Sequence, residues 1–454
     1  MNHMEQQARN HISAHAGAQL SLSALTSLLA LLGAVALLYV VAQWTGAVQV
    51  AMFALMATIL WCRWLPQLSH PLVWFAPLFM LYSLSFPILA LIGIYVYDDA
   101  VQKTVTLHAI ALFMFAVVPL WHLKPYPLQR PLTMAERGTG PVASSLLTAG
   151  IPVALLLLVA AASLGLTTKR ELVDSGSPVL TLTVMVLNAV FLTGILLITL
   201  EKLSRRSTWV VCVLGLLAVM AIGMLGERDF LLRLAVCLLL LAWDLKRKPS
   251  LRTAFLIGGC LFALLPMLQA MKAVFLGGSV NYTFAAMDLI GQEFRVMAQN
   301  TWRTLTSDAP RLLSPLDVAA MEVGRIVGNG RSVAAWFNDV IVGTGEQRGF
   351  SMVAAAYMLG GPVGVAIAYF LAGLLFTWLY GARLRSLTWL TAYVLMAPAF
   401  IYAQRADFSN FIAPALKWIA LPLLLLSICT ELTMAFGDKR SDRARSSELA
   451  DGMG

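Results

Sequence analysis

Runs of about twenty apolar residues recur along this chain, and each is close to the length a helix needs to cross a hydrocarbon layer. Twelve can be drawn, at 20–43, 46–62, 71–95, 104–121, 143–166, 178–200, 208–225, 229–243, 253–275, 351–379, 387–403 and 408–430. Lipid offers no water to an exposed N–H or C=O, so runs of this kind are predicted as helices. Composition agrees, since 59% of the 454 residues are hydrophobic and only 12% are charged. A soluble domain carries about 25% charged residues. The expectation is an all-α polytopic membrane protein of about 12 transmembrane helices. The seventh and eighth runs are close together and the eighth is short, so a re-entrant hairpin is the alternative to two spans there.

The net charge of +9 reads as basic cytoplasmic loops rather than a nucleic-acid surface. The five cysteines, Cys62, Cys212, Cys237, Cys260 and Cys429, lie in or at the ends of apolar runs without metal-ligand spacing. They are expected as small core residues, with no disulfide framework. The polar residues 1–18 do not read as a cleavable signal peptide.

Orientation follows from Lys and Arg. With the N-terminus inside, eighteen of the 32 basic residues fall on the cytoplasmic side, including Arg205, Arg206, Lys246, Arg247, Lys248, Arg383 and Arg385. The expected layout is a cytoplasmic tail (1–18), nine spans (19–275), a long external loop (276–350), three more spans (351–430) and a cytoplasmic C-terminal tail (431–454). Within the loop, residues 285–305 carry apolar positions at helical spacing and are predicted to form an amphipathic helix at the membrane surface or over a cavity. Further helices are expected over 316–327 and 332–342, with a turn at 328–331.

The charges left on the external side carry the functional signal, because charge near a membrane is costly. GERDF at 226–230 ends a span, and its plain reading is an ion pair between Glu227 or Asp229 and Arg228 or Arg233. YAQRADFSNF at 402–411 holds Arg405 and Asp407, and KRELVDSGSP at 169–178 holds Lys169 and Arg170. The long loop holds six arginines, at 295, 303, 311, 325, 331 and 348, and no lysine. Seven carboxylates accompany them: Asp288, Glu293, Asp308, Asp317, Glu322, Asp339 and Glu346. A planar fork of donors suits phosphate oxygens, so these arginines could cradle an anionic headgroup such as a diphosphate. Two phosphates need only two to four donors, so most of the arginines must do something else. No Walker loop, DxD pair or His/Cys ligand set is present, and the long loop has no histidine to act as a base. No cofactor and no metal are expected.

Three stretches resemble the Wzy-type polymerases of bacterial surface polysaccharides: GERDFLL at 226–232, GFSMVAAAYMLGGPVG at 349–364 and RADF at 405–408. With the hydropathy profile the similarity covers roughly residues 140–430. The RX10G spacing of some members is not matched, since Gly343 falls one residue too far from Arg331. The resemblance implies a GT-C-like fold in the bacterial inner membrane, acting on undecaprenyl-diphosphate-linked oligosaccharides at the periplasmic face. The growing chain would pass from its lipid diphosphate to the non-reducing end of the next lipid-linked unit. Partners would be those lipid-linked oligosaccharides, membrane lipid, a chain-length regulator and a flippase, and no nucleic acid.

In such a reaction fixed arginines stabilise charge on the leaving diphosphate, and a carboxylate of raised pKa accepts the acceptor's proton. Asp229, Asp407, Glu293 and Glu346 are the candidate bases. Arg228 and Arg405 are the first candidates for the diphosphate, with Lys169, Arg170, Arg295, Arg303, Arg325, Arg331 and Arg348 behind them. An O-antigen ligase and a lipid-linked oligosaccharide flippase are the alternative readings. The ligases typically carry a histidine in the large loop, and transporters usually show repeat-related halves.

Overall fold

In a computed structural model, the described residues are 46–64, 67, 69–122, 134–163, 178–205, 207–225, 229–245, 294–307, 309–327, 330–343 and 349–431. They form helices, turns and no strand. In chain order the helices are α1 (Gly46–Trp64), α2 (Pro71–Leu91), α3 (Asp99–His122), α4 (Met134–Ser163), α5 (Pro178–Leu200), α6 (Ser207–Leu225) and α7 (Asp229–Leu245). There follow α8 (Arg295–Thr306), α9 (Ala309–Leu312), α10 (Pro315–Val327), α11 (Val333–Phe337), α12 (Met352–Ala382), α13 (Leu387–Ala403) and α14 (Ser409–Pro414). A π turn, Asn338–Val342, continues α11, and another, Ala415–Ala420, carries α14 on into helix that ends at Glu431.

The predicted spans at 20–43 and 253–275 lie outside the described residues, and each of the other ten coincides with a helix. Six helical stretches among the described residues are long and apolar enough to cross a membrane: Pro71–Leu91, Asp99–Leu120, Thr139–Ala161, Thr181–Leu200, Met352–Ala382 and Ser409–Glu431. The protein is therefore a multi-pass, all-helical membrane protein. Stretches within α1, α6 and α13 are apolar but shorter. The seventh and eighth runs form two separate helices, α6 and α7. Outward faces of the spans are aliphatic, as at Leu146, Leu156, Leu182, Val363, Ile367 and Leu371, which water would disfavour and acyl chains accept.

The chain folds as two compact units. One comprises residues 1–125, 285–381 and 401–410, and the other residues 126–284, 382–400 and 411–454. The first unit is built on α1, α2 and α3, and α2 and α3 meet helix α8 of the long loop. Phe75 stands against Phe115 (centroids 4.0 Å apart) and Phe79 (4.9 Å), and Trp74 meets Phe376 of α12 edge-on at 5.1 Å. Helix α8 lays Met297, Ala298, Asn300, Thr301 and Thr304 inward against α2 and α3. Trp302 is fixed by its indole N–H, which donates to both carboxylate oxygens of Asp98 at 3.1 Å. Residues 295–305 of the predicted amphipathic helix thus cover α2 and α3, and 285–293 lie outside the described residues.

Helix α10 begins at a reciprocal cap. The Ser314 hydroxyl accepts from the Asp317 N–H, while the Asp317 carboxylate accepts from the Ser314 N–H and hydroxyl. Those bonds hold the Asp317 carboxyl below its ordinary range. Helix α12 breaks at Gly360 and Gly361, where Gly361 has φ +60° and ψ −148°. That region is essentially closed to side-chain-bearing residues, and Pro362 then suits the first turn of the second half. The glycine-glycine-proline of the 349–364 stretch is therefore a hinge between two helices.

In the second unit α4, α5, α6 and α7 pack against one another. Cys237 donates through its thiol to the Val394 carbonyl at 3.1 Å. A buried ion pair, Arg383 Nε to Asp244 at 3.2 Å, ties the end of α7 to the turn before α13.

Candidate functional site

In the first unit the 349–351 segment and the RADF element meet. Gly349 has φ +79°, a left-handed conformation that glycine adopts freely. A Cβ there would stand 2.9 Å from the Arg405 carbonyl oxygen, so the residue must be small as well. Its own carbonyl accepts from the side-chain amides of Asn300 (3.2 Å) and Asn338 (3.1 Å). The Phe350 N–H donates to the Arg405 carbonyl at 2.8 Å, and the Met352 N–H to that of Gln404 at 3.3 Å. The Gln404 side chain accepts from the Tyr369 hydroxyl at 2.6 Å. Two of the three stretches that carried the resemblance thus build one piece of structure. Arg405 is its partly exposed cation, with its guanidinium over the Tyr402 ring, 5.5 Å from the centroid.

Asp407 is fully buried, and donors surround it. Its Oδ1 accepts from the Ser409 hydroxyl (2.6 Å), the Asn410 amide group (2.6 Å) and the Asn410 N–H (3.2 Å). Oδ2 accepts from the Ala334 N–H at 3.0 Å. One carboxylate therefore caps the start of both α11 and α14. Beside it stands Glu322 of α10, which accepts from the N–H groups of Phe408 (3.3 Å) and Ser409. Burial, and next the charge of Asp407, push the Glu322 carboxyl up to about 8, against the lowering effect of its hydrogen bonds. Glu322 was legible in the sequence only as one of seven loop carboxylates. Its signal is the four-residue spacing from Val318, which puts both on the buried face of α10.

Three of the six loop arginines have partners within the protein. Arg295 donates to the Tyr95 hydroxyl and lies 5.7 Å from that ring's centroid. Arg303 reaches Asn300 at 3.4 Å. Arg331 pairs with Asp339 on the surface, and Arg325 is exposed on α10. His108 of α3, buried under the loop, shares a hydrogen bond with Thr301 at 3.1 Å, and Thr301 another with Ser351 at 2.8 Å. That chain of polar contacts is fully enclosed.

In the second unit Asp229 pairs with Arg233 one helical turn on. Arg233 also donates to the Asn188 side chain at 3.2 Å, and its carbon lies 5.8 Å from the Phe230 centroid. Arg233 borders a small cavity of about 20 Å³ lined also by Phe191, Cys237 and Trp418. Room for about one water fits the Nε of Arg233, which has no protein partner there. Asp229 is thus part of the ion pair that was the plain reading of GERDF. Arg228, Lys169, Arg170, Arg348, Glu293 and Glu346 lie outside the described residues. No group of three His, Cys, Asp or Glu side chains suited to a metal occurs among the described residues.

Residues 338–435 match the family model described as O-antigen polysaccharide polymerase Wzy. The match contains both the 349–364 stretch and RADF, so the Wzy-type similarity read from the sequence holds over this region and supports a part in surface-polysaccharide polymerisation. No curated protein and no solved structure matches the chain.

Proposed function

We propose that this protein polymerises a bacterial surface polysaccharide, transferring the growing glycan from undecaprenyl diphosphate to the non-reducing end of a lipid-linked repeat unit. One coincidence carries the reading. The family match spans both segments that meet at Arg405, and Arg405 is a partly exposed cation on a hydrogen-bonded element. In this reading about twelve spans form a GT-C-like bundle in the inner membrane, with both termini cytoplasmic and residues 276–350 periplasmic. Departure of the lipid diphosphate develops negative charge, which Arg405 would stabilise more in the transition state than in the ground state. The acceptor hydroxyl loses its proton to a carboxylate, among which Asp229, Asp407, Glu293 and Glu346 remain candidates. A metal is not required, because the arginines supply the positive charge. Lipid-linked repeat units, a chain-length regulator and a flippase are the proposed partners.

The test is Arg405→Lys, which keeps the charge and removes the bidentate fork. Loss of such a donor costs roughly 2–4 kcal/mol of transition-state stabilisation. The variant should reach normal abundance in the membrane and fail to extend chains in a polysaccharide ladder. Wild-type chain length would remove Arg405 from the site. A deletion strain separates the alternatives: single-repeat products support the polymerase, loss of all surface attachment a ligase, and cytoplasmic build-up of lipid-linked units a flippase.

A further inference from the structure

Helix α10 is inverted relative to a helix that faces water. The helix advances about 100° per residue, which places Leu316, Ala320, Val323 and Val327 on one narrow stripe. That stripe points outward: Leu316 is 81% exposed, Val327 79% and Val323 58%, and Leu312 just before the helix is 58% exposed. The inward face carries Val318, the partly buried Met321 and a carboxylate, Glu322. A solvated helix on a protein surface shows the opposite arrangement, apolar inward and polar outward. The exposed Asp317 lies on the flank between the two faces, and Arg325, exposed in the last turns, lies beside the inward face.

The packing of α10 places it beside the start of α12. Its inward Val318 belongs to a core with Val333, Phe337, Phe350, Ala354, Ala355 and Met358, and Leu359 packs against that core. Residues 352–359 form the short helix that leads through the Gly360–Gly361 break into the long apolar helix from Pro362. Helix α10 therefore packs against the segment that leads into this apolar helix. The same span then exposes Val363, Ile367 and Leu371 at four-residue intervals, an aliphatic stripe like the one on α10. The surface that faces lipid on the span thus continues, along the chain, from the core that α10 covers.

We propose that α10 is an interfacial helix whose Leu316–Ala320–Val323–Val327 stripe lies in the acyl region of the bilayer surface, with Asp317 and Arg325 at headgroup level. The helix then meets three surroundings, protein at Val318 and Glu322, hydrocarbon at the stripe, and water with headgroups at Asp317 and Arg325. The inference rests on the membrane assignment and is independent of the reaction proposed above. It gives Glu322 a further meaning. The helix that touches lipid is the one that holds Phe408 and Ser409, so bilayer contact and the Arg405 segment are mechanically joined.

Spin-label accessibility tests this on the full chain, with its native cysteines replaced, in vesicles of phosphatidylethanolamine and phosphatidylglycerol. Single labels go at Leu316→Cys, Val323→Cys and Val327→Cys, with Asp317→Cys on the same helix as the aqueous reference. The three stripe labels should be relaxed strongly by oxygen and little by a water-soluble nickel chelate, and Asp317→Cys should show the reverse. Nickel accessibility at the stripe equal to that at Asp317→Cys would place α10 in water and overturn the proposal. Low accessibility to both reagents with an immobilised label would show a protein partner or a second copy on the stripe, and would overturn it equally. Loss of any difference among the four sites would mean that the helix is not formed as described, which also defeats the proposal.

Discussion

Replacing Glu322 by Gln isolates the charge of one buried carboxylate from its shape. The folded protein raises this group from its ordinary 4.5 to about 8, through burial and the neighbouring Asp407. A tenfold change in proton affinity is worth about 1.4 kcal/mol, so the ionised form costs the folded state at most about 5 kcal/mol. The sign follows from proton counts. Between 4.5 and 8 the folded protein holds a proton here that the unfolded chain has released, so stability falls as pH rises. The favourable contribution is complete below about 4.5 and is lost as pH passes through about 8. Glutamine cannot ionise, and its single carbonyl oxygen accepts one of the two N–H groups from Phe408 and Ser409. A buried donor left without a partner costs about 1–3 kcal/mol. The variant should therefore be the less stable protein at pH 6 and should lose nothing further up to pH 9.

Hydrogen exchange of residues 330–343 and 405–410, normalised for the intrinsic pH dependence, reads this locally. Wild-type protection should fall between pH 6 and pH 9, while that of Glu322→Gln stays level, so the two profiles converge or cross. If Glu322→Gln keeps the wild-type slope, another group titrates and the carboxylate pair is not the cause. If the wild type shows no slope, the raised pKa itself is refuted.

Gly349→Ala should weaken the contact with the Arg405 segment. Its φ of +79° costs a side-chain-bearing residue about 1–2 kcal/mol, before the approach to the Arg405 carbonyl is counted. Faster exchange at Phe350, with chain extension reduced, checks it. Asp244→Leu or Arg383→Met alone leaves an uncompensated buried charge and should cost about 3–5 kcal/mol, whereas the double replacement should recover most of that. Thermal survival of the detergent-solubilised variants on size exclusion distinguishes the two cases. Purified protein should extend lipid-linked repeats in EDTA, and activity abolished by the chelator and restored by magnesium or manganese would refute the metal-free mechanism.

What the sequence made legible was whatever depends on local pattern. Apolar runs predict helices because lipid permits little else, and 178–200 appears as written, Pro178–Leu200. Short-range capping was readable in principle too, as with Ser314 and Asp317. Long-range pairings were not. Arg295 and Tyr95 are 200 residues apart, and nothing in either neighbourhood announces the partner. Asp407 was read as a candidate base on the external side, and its four donors come from residues 334, 409 and 410, so its capping role needed the fold. Glu322 stood in the sequence as one of seven loop carboxylates, and only the fold shows that its side of α10 is the buried one.

The arginine-rich loop makes the same point about function. Six arginines without a lysine suggested phosphate, and simple stoichiometry already required most of them to serve elsewhere. Three of those described have intramolecular partners of ordinary kinds: a tyrosine for Arg295, an asparagine for Arg303 and an aspartate for Arg331. Each partner is planar or carries a planar acceptor group, which a guanidinium can face and an ammonium cannot match. The preference for arginine in the loop therefore has a folding explanation at these positions. Arg405 lies outside that loop, and its backbone carbonyl accepts from Phe350. Its main chain is thereby fixed to the other segment of the motif pair, while its guanidinium sits on one aromatic face. A cation whose main chain is held so firmly, within the family-matched region, is in position before a substrate arrives. That is the property a preorganised diphosphate contact requires.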